Sequence, residues 1–159
     1  PEVALHFVQD PATRLDLALE CGQLDAAKAA AEVLDSKEAW ARLSKAALLQ
    51  GNVIVAELSM QKVKDLSGLS MLYAITGQQD KLAKMLAIAQ HRNDPMAQMH
   101  NAILLGSVED RARVLAEAGL ISLAWLTCHT HGLTDLATSL ASQAGLTDEA
   151  LAALMPSLK

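Results

Sequence analysis

One short run in this sequence combines residue types that bind metal ions: Cys128-His129-Thr130-His131. Thiolate and imidazole groups bind zinc, but a structural zinc site needs about four ligands in a tetrahedron. On a helix, Cys128 and His131 share one face, whereas His129 points elsewhere. No further Cys or His lies near this run in the sequence. We therefore interpret Cys128 as an inward side chain and the histidines as helix-end residues, and we predict no metal and no cofactor.

Nucleophilic or acid–base chemistry has equally little support. Cys21 could pair with a distant histidine, but a cysteine at a helix end is usually a small buried residue. The carboxylates are spread one or two per predicted helix, mostly in first turns, where they cap and solvate the helix. Neither a GxGxxG nor a GxxxxGKS/T phosphate-binding loop occurs. The sequence therefore predicts a protein that is not an enzyme.

The composition favours an all-α protein. Hydrophobic residues make up 52% of the 159 residues and aromatic residues only 3%, so Ala and Leu must carry the packing. Strong helix formers are frequent, and no stretch alternates as a strand would. The net charge of −5 and the scattered basic residues argue against nucleic-acid binding. The charge-free run Ala118–Thr134 is too polar and interrupted to span a bilayer, so we predict no membrane insertion. Cys21 and Cys128 are too distant for a predicted disulfide, which favours a reducing compartment.

Glycines recur at nearly constant spacing between helix-like segments. The spacings are 29, 26, 29 and 26 residues, between Gly22, Gly51, Gly77, Gly106 and Gly132. Such a period is typical of stacked repeats, in which neither helix can bury its apolar face alone. We predict a right-handed α-solenoid of antiparallel helix pairs. The repeats are degenerate relatives of the tetratricopeptide pattern, because Trp40-x-x-Leu43 is present but the Gly and Tyr that should follow are not.

The repeats predict one domain over residues 1–159, with about five helix pairs and ten to twelve helices. Because the chain opens at Pro1 without Met, we expect it to be a piece of a longer protein. Helix starts are predicted at Asp10-Pro11, Asp35-Ser36, Asp94-Pro95 and Ser107. Further helices are predicted at 24–34, 53–63, 66–76, 82–92, 96–105, 120–131 and 134–144, after a short helix end at 4–8. One helix should bury Trp40, Leu43, Ala47 and Leu48, and a last one should start at 147–149 and stop at Pro156.

Two stretches are apolar nearly all round, Val53–Val55 and Leu120–Leu126. A helix that is apolar on every face is expected to be buried on every face. In a stack of helix pairs, neighbouring repeats cover only some faces of a helix. The remaining apolar face must be covered either by a tight superhelix or by another protein chain. We therefore predict a protein interface, with Trp125 as its anchor. The candidate interface residues are Trp125, Leu126, Leu120, Ile121, Val53 and Ile54.

Several short blocks in this order resemble the α-solenoid of the coatomer α-subunit family, over about residues 7–145. The blocks are Leu17–Gly22, Ala47–Asn52, Leu72–Gly77, Lys81–Ala89, Asn101–Gly106 and Ser122–Leu133. The resemblance implies β-propellers before this segment and an ε-subunit-binding domain after it. It also implies pairing with the β′-COP solenoid in the coat of Golgi-to-ER and intra-Golgi vesicles. The location would be cytoplasmic, on the periphery of Golgi membranes and coated vesicles, and the family offers no catalytic motif.

Three other functions remain as alternatives to a coat scaffold. A peptide- or cargo-binding groove would be marked by polar side chains converging on a concave surface. The solenoid of an intraflagellar transport subunit would share the same helix pairs. An enzyme would require a pocket with strongly perturbed titratable groups. The fragment is also a candidate for self-association.

Overall fold

The computed structural model describes residues 3–154, and these are helical with no strand. A 3-10 turn at Ala4–His6 stands where a short helix end was predicted. The α-helices are α1 (Pro11–Glu20), α2 (Leu24–Leu34), α3 (Lys37–Gln50), α4 (Val53–Val63), α5 (Leu66–Ile75), α6 (Gln79–His91), α7 (Pro95–Leu105), α8 (Val108–Glu117), α9 (Ile121–Thr130), α10 (Thr134–Ala144) and α11 (Asp148–Leu154). The all-α prediction is confirmed. Pro156 lies outside the described residues.

The periodic glycines mark equivalent bends between paired helices. Each of the five has a positive φ between 70° and 76°, at Gly22, Gly51, Gly77, Gly106 and Gly132. At Gly51, the amide of the next residue, Asn52, donates to the carbonyl of Ala47, which closes the end of α3. The glycines thus join α1 to α2, α3 to α4, α5 to α6, α7 to α8 and α9 to α10.

Side-chain caps begin the helices where the sequence predicted them. Asp10 accepts a hydrogen bond from the amide of Thr13 at 2.9 Å, and Pro11 occupies the first helical position. Ser36, Asp94 and Ser107 each accept a hydrogen bond from the amide three residues later. These short-range contacts satisfy amide groups that have no partner inside the helix.

Several predicted helix bounds differ from the observed ones: α5 ends at Ile75 rather than 76, α6 spans Gln79–His91 rather than 82–92, and α9 spans Ile121–Thr130 rather than 120–131. α6 begins at Gln79, three residues before the predicted start, because Gln78, with φ −86° and ψ 72°, is the last residue with non-helical backbone angles. α9 begins at Ile121, since Leu120 still precedes the helix. These shifts leave the order of the helices unchanged.

The chain folds into two compact units, Pro1–Leu72 and Tyr73–Lys159. The boundary falls inside α5, and the prediction of a single domain over 1–159 stays a prediction. In the first unit, small and large side chains from four helices pack together to form the core. Its most buried members include Leu15, Ala18, Ala27, Ala31, Trp40, Leu43, Ala47, Ala56 and Met60.

One core prediction for α3 is wrong. Trp40, Leu43 and Ala47 are buried as expected, but Leu48 is 48% exposed. Each helical residue turns about 100° from the one before it, so Leu48 lies beyond the edge of the stripe that α2 and α4 cover. An ion pair of 2.7 Å joins Arg42 on α3 to Asp16 on α1 at the surface of this unit.

The second unit has a core built around α9. Trp125, Ala124 and Cys128 of α9 pack with Ala112 of α8 and Leu140 of α10. α9 packs against both α8 and α10, while α7 packs against α6 and α8. Leu151 and Leu154 of α11 pack against the same cluster. The side chains that α9 turns away from α8 and α10 are consequently the ones left at the surface.

Candidate interaction surface

The Cys-His run does not assemble a metal site. The Cys128 side chain is fully buried in the core of the second unit. The ring of His129 instead stacks on Trp125, with 4.9 Å between ring centroids. His131 places its Nδ1 2.9 Å from the carbonyl oxygen of Thr127, one turn earlier. Among the described residues, no three His, Cys, Asp or Glu side chains converge on a position where a metal ion could bind.

Burial also makes Cys128 a poor nucleophile. Desolvation raises the pKa of its thiol, and the nearby negative charge of Glu109 raises it further. A thiol needs the opposite shift to react as a thiolate at neutral pH. The chemistry of Cys128 is therefore that of a small apolar core residue.

A cavity of about 310 Å³ lies between α8 and α10 in the second unit. Its floor is apolar, formed by Ala112, Ala116, Leu136 and Leu140, and its edge carries Glu109, Asp110 and Arg113. The Arg113 guanidinium bonds to Asp110 at 2.5 Å. When the side-chain amide of Gln90 on α6 has its oxygen facing Arg113, that oxygen accepts two hydrogen bonds from the guanidinium, at 2.7 Å and 3.0 Å. The cavity thus combines an apolar floor with a charged edge, in which the carboxylate of Asp110 is paired with Arg113.

Trp125 is not a surface anchor. Only 4% of this residue is exposed, and it lies in the core cluster between α8 and α10. Its burial therefore gives no support to Trp125 as the interface anchor, and the interface itself stays a prediction. An all-apolar helix gives no sequence signal for which side faces inward, and the packing of the two neighbouring helices decided it.

The other candidates on α9 lie at or near the surface. Leu120 is 49% exposed, whereas Ile121 and Leu126 are half-buried. Leu123, which was not among the named candidates, is also 49% exposed and lies one turn after Leu120. The exposed side of α9 is thus marked by Leu120 and Leu123.

In the first unit, α4 turns one large apolar side chain fully outward. Ile54 is 81% exposed, Val53 is half-buried and Val55 is buried. In the single chain this stretch is therefore not buried on every face, and a protein contact through Val53 and Ile54 stays a prediction. Ile54 is a single exposed side chain, and scattered exposed apolar residues are normal on protein surfaces.

α7 adds a second exposed apolar stripe in the second unit. Met96 is 80% exposed and Ile103 is 56% exposed, and seven residues separate them, so both lie on one side of α7. Neither residue was among the interface candidates named from the sequence. The signal that could have found them is charge: neither α7 nor α9 contains Asp, Glu, Lys or Arg, whereas α6 and α8 carry several.

We call Met96, Ile103, Leu120 and Leu123 the α7–α9 surface. α7 and α9 both pack against α8, which follows α7 and precedes α9 in the chain. The two helices are connected through α8, against which each of them packs. An apolar, charge-free surface on two such helices is the arrangement expected of a protein contact site.

Comparison with known proteins identifies the family. A family model described as the COPA/B TPR domain matches residues 1–142. This chain belongs to the COPA/B TPR domain family. The match covers most of the chain and agrees with the helix pairs and glycine bends described above. Within the described residues, no helix of this COPA/B TPR domain is long and apolar enough to cross a bilayer.

Curated relatives of this COPA/B TPR domain confirm the resemblance drawn from the sequence. Coatomer subunit alpha-2 of Arabidopsis thaliana is 47% identical over 145 residues, which cover 91% of this chain and 12% of that protein. Coatomer subunit alpha of Dictyostelium discoideum is 42% identical over 140 residues, covering 88% and 11%. The Saccharomyces cerevisiae subunit is 40% identical over 149 residues, covering 94% and 12%. The chain thus spans about an eighth of the length of these relatives.

Proposed function

We propose that this chain is a structural segment of a vesicle coat and that it assembles with the β′-COP solenoid. The family relationship supports a coatomer subunit and favours it over an intraflagellar transport subunit, because the curated relatives compared above are coatomer α subunits. The proposed setting is the cytoplasmic face of Golgi membranes and coated vesicles, in Golgi-to-ER and intra-Golgi transport. The proposed role is non-enzymatic.

The observation that carries this proposal is the α7–α9 surface. It exposes Met96 and Ile103 of α7, Leu123 of α9 and Leu120 just before α9, and neither helix contains Asp, Glu, Lys or Arg. Burying such a surface against a partner removes apolar area from water and desolvates no formal charge. A scaffold segment acts by geometry: rigid helix pairs hold the contact surface at a set position, and a partner covers it.

Co-purification with the β′-COP solenoid tests the proposal, using Leu123→Asp as the disrupting variant. The carboxylate would have to lose its water on a surface that offers no counter-ion, so we expect capture of β′-COP to fall at least about tenfold. Because Leu123 is half-exposed and lies outside the core cluster, the variant should keep the helical circular dichroism of the wild type.

Ser139→Asp is the matched control. Ser139 is an exposed residue on α10, and the substitution adds the same charge to a helix of the same unit. We expect this variant to capture β′-COP as the wild type does. Equal capture by Leu123→Asp and the wild type would refute the proposed contact surface, and no capture by the wild type would refute β′-COP as the partner.

The cavity between α8 and α10 supports a second candidate function, peptide binding. Its volume of about 310 Å³ and its apolar floor beside charged residues suit one or two side chains of a peptide. Leu136→Trp would fill this cavity without touching the α7–α9 surface. Loss of β′-COP capture in Leu136→Trp, with Leu123→Asp unaffected, would favour the groove over the surface.

A further inference from the structure

The cavity between α8 and α10 has one unpaired charge at its edge. Asp110 is engaged twice, because one carboxylate oxygen accepts from the Arg113 guanidinium and the other accepts from the Ser107 hydroxyl at 2.7 Å. The guanidinium is also used by the amide oxygen of Gln90. Glu109 is exposed and forms no ion pair with any of the described residues. The charge that the edge offers to a ligand is therefore negative.

The cavity is a short groove with a charged end and an apolar end. Its lining residues on α8 include Glu109, Ala112, Arg113 and Ala116, which recur every three or four residues and so lie along one side of the helix. Two leucines one turn apart on α10 form the opposite wall. At about 1.5 Å per residue, the middle of the floor between Ala112 and Ala116 lies about 7.5 Å along the axis from Glu109.

This distance matches the side-chain spacing of an extended peptide. Such a peptide rises about 3.3 Å per residue, and every second side chain lies on the same side, so two such side chains are about 7 Å apart. A lysine or arginine at the first position reaches Glu109 while its apolar stem lies along the floor. An acidic residue at that position would be repelled by Glu109, and a neutral one would leave the carboxylate unpaired.

We propose that the α8–α10 cavity binds an extended peptide segment in which a lysine or arginine and a leucine or methionine are separated by one residue. The basic side chain pairs with Glu109, and the apolar side chain fills the floor between Ala112 and the α10 residues Leu136 and Leu140. This inference rests on the second candidate function above, the peptide groove, and names the class of peptide. It makes no use of the α7–α9 surface.

Two further observations favour a basic segment over an acidic one. The whole chain has a net charge of −5, which attracts cationic segments and repels anionic ones. Desolvation raises the pKa of the buried Cys128 thiol, and the negative charge of Glu109 raises it further. The charge of Glu109 therefore acts on the core side of α8 as well as at the edge of the cavity.

The size of the cavity limits the affinity. Its volume of about 310 Å³ holds one large apolar side chain and the stem of a second, at the lower end of the range for ligand pockets. An ion pair at a wet edge changes a dissociation constant only a few-fold and is weakened by salt. We therefore expect a dissociation constant of about 1 mM for a short peptide at low ionic strength.

Titration of the isotope-labelled chain with short peptides, followed by amide chemical shifts, tests the proposal. The probe is an acetylated and amidated peptide of glycine and serine with Lys-Ser-Leu at its centre. Its matched controls carry Glu-Ser-Leu or Lys-Ser-Ala instead. We expect the Lys-Ser-Leu peptide to shift amides of α8 and α10, and each control peptide to bind at least about threefold more weakly.

Variants of the chain assign the binding to the cavity. Glu109→Gln should bind the Lys-Ser-Leu and Glu-Ser-Leu peptides equally, because it removes the unpaired charge. Glu117→Gln is the matched control, since Glu117 is exposed on the same helix and does not line the cavity, and it should keep the lysine preference. Leu136→Trp should abolish binding by filling the floor, and Ala116→Leu should do so if Leu136→Trp fails to fold.

Three results would overturn the proposal: no shift of α8 and α10 amides at ten times the expected dissociation constant, equal binding of the Lys-Ser-Leu and Glu-Ser-Leu peptides to the wild type, or a lysine preference that survives in Glu109→Gln. The second result, with binding that Leu136→Trp abolishes, refutes the basic class alone, whereas the first refutes the peptide groove as well. The coat proposal fails separately, by loss of β′-COP capture, and Glu109→Gln should capture β′-COP as the wild type does.

Discussion

The indole Nε1 of Trp40 donates a hydrogen bond to Oδ1 of Asp35 over 3.1 Å, across the turn between α2 and α3. Asp35 ends α2 in the left-handed region, with φ 39° and ψ 38°, and so one residue both turns the chain and satisfies a buried donor. Lys62 of α4 lies over the Trp40 ring at 5.5 Å. Trp40 thereby connects the end of α2 with α3 and α4 in the first unit.

We expect Asp35→Ala to lower the free energy of unfolding by about 1–3 kcal/mol. The buried indole N–H would lose its acceptor, and alanine would be strained at a positive φ. Urea unfolding measures the loss. The slope of the unfolding free energy against urea concentration is compared with that of the wild type. Asp35→Asn is the control, because Asn keeps an acceptor oxygen and tolerates the left-handed region; a loss as large as that of Asp35→Ala would contradict this account.

Gly51 allows a test of whether the bend between two paired helices requires a glycine for its backbone conformation. Its φ is 72°, and a Cβ at this position would meet no atom within 4 Å. We expect Gly51→Ala to cost about 1–2 kcal/mol through backbone strain alone, and Gly51→Asn to cost less. Thermal unfolding of the two variants compares them. Equal stability of Gly51→Ala and the wild type would show that the bend does not depend on glycine.

Trp125 is expected to act on stability rather than on assembly. Trp125→Ala would leave a cavity in the core of the second unit and remove the stacking partner of His129, at a cost of about 3–5 kcal/mol. Leu123→Ala, on the exposed side of the same helix, should change stability by less than about 1 kcal/mol. Chemical denaturation followed by circular dichroism measures both, and similar losses for the two variants would contradict the assigned sides of α9.

The two cysteines are expected to differ in reactivity. Cys21 is partly exposed at the end of α1, whereas Cys128 is buried and has a raised thiol pKa. A chromogenic disulfide reagent at neutral pH should therefore label Cys21 at least about tenfold faster than Cys128 in the folded chain. Cys21→Ser leaves only the slow thiol, and unfolding in denaturant should bring it to the rate of a free thiol. Fast labelling of folded Cys21→Ser would show that the α9 core opens readily.

The resemblance to coatomer α subunits could be recognised from ordered short blocks, and the glycine period predicted the bends that the structure contains. The candidate surface was predicted less well. Leu120 lies at the surface as proposed, but Trp125 is buried, and Met96, Ile103 and Leu123 were missed. A search for helices without charged residues would have pointed to α5 and α7 as well as α9, because a long exposed stretch without charge is unusual on a protein surface.

The sequence by itself determined where helices begin, end and turn. Asp10, Ser36, Asp94 and Ser107 cap the residues that follow them, and Gly51 supplies a backbone conformation that other residues adopt only with strain, so neighbours along the chain suffice for both. Only the tertiary structure decided which side of α9 faces inward. That helix is apolar nearly all round, so its buried side depends on where α8 and α10 pack, and their packing covers Trp125 and leaves Leu123 exposed.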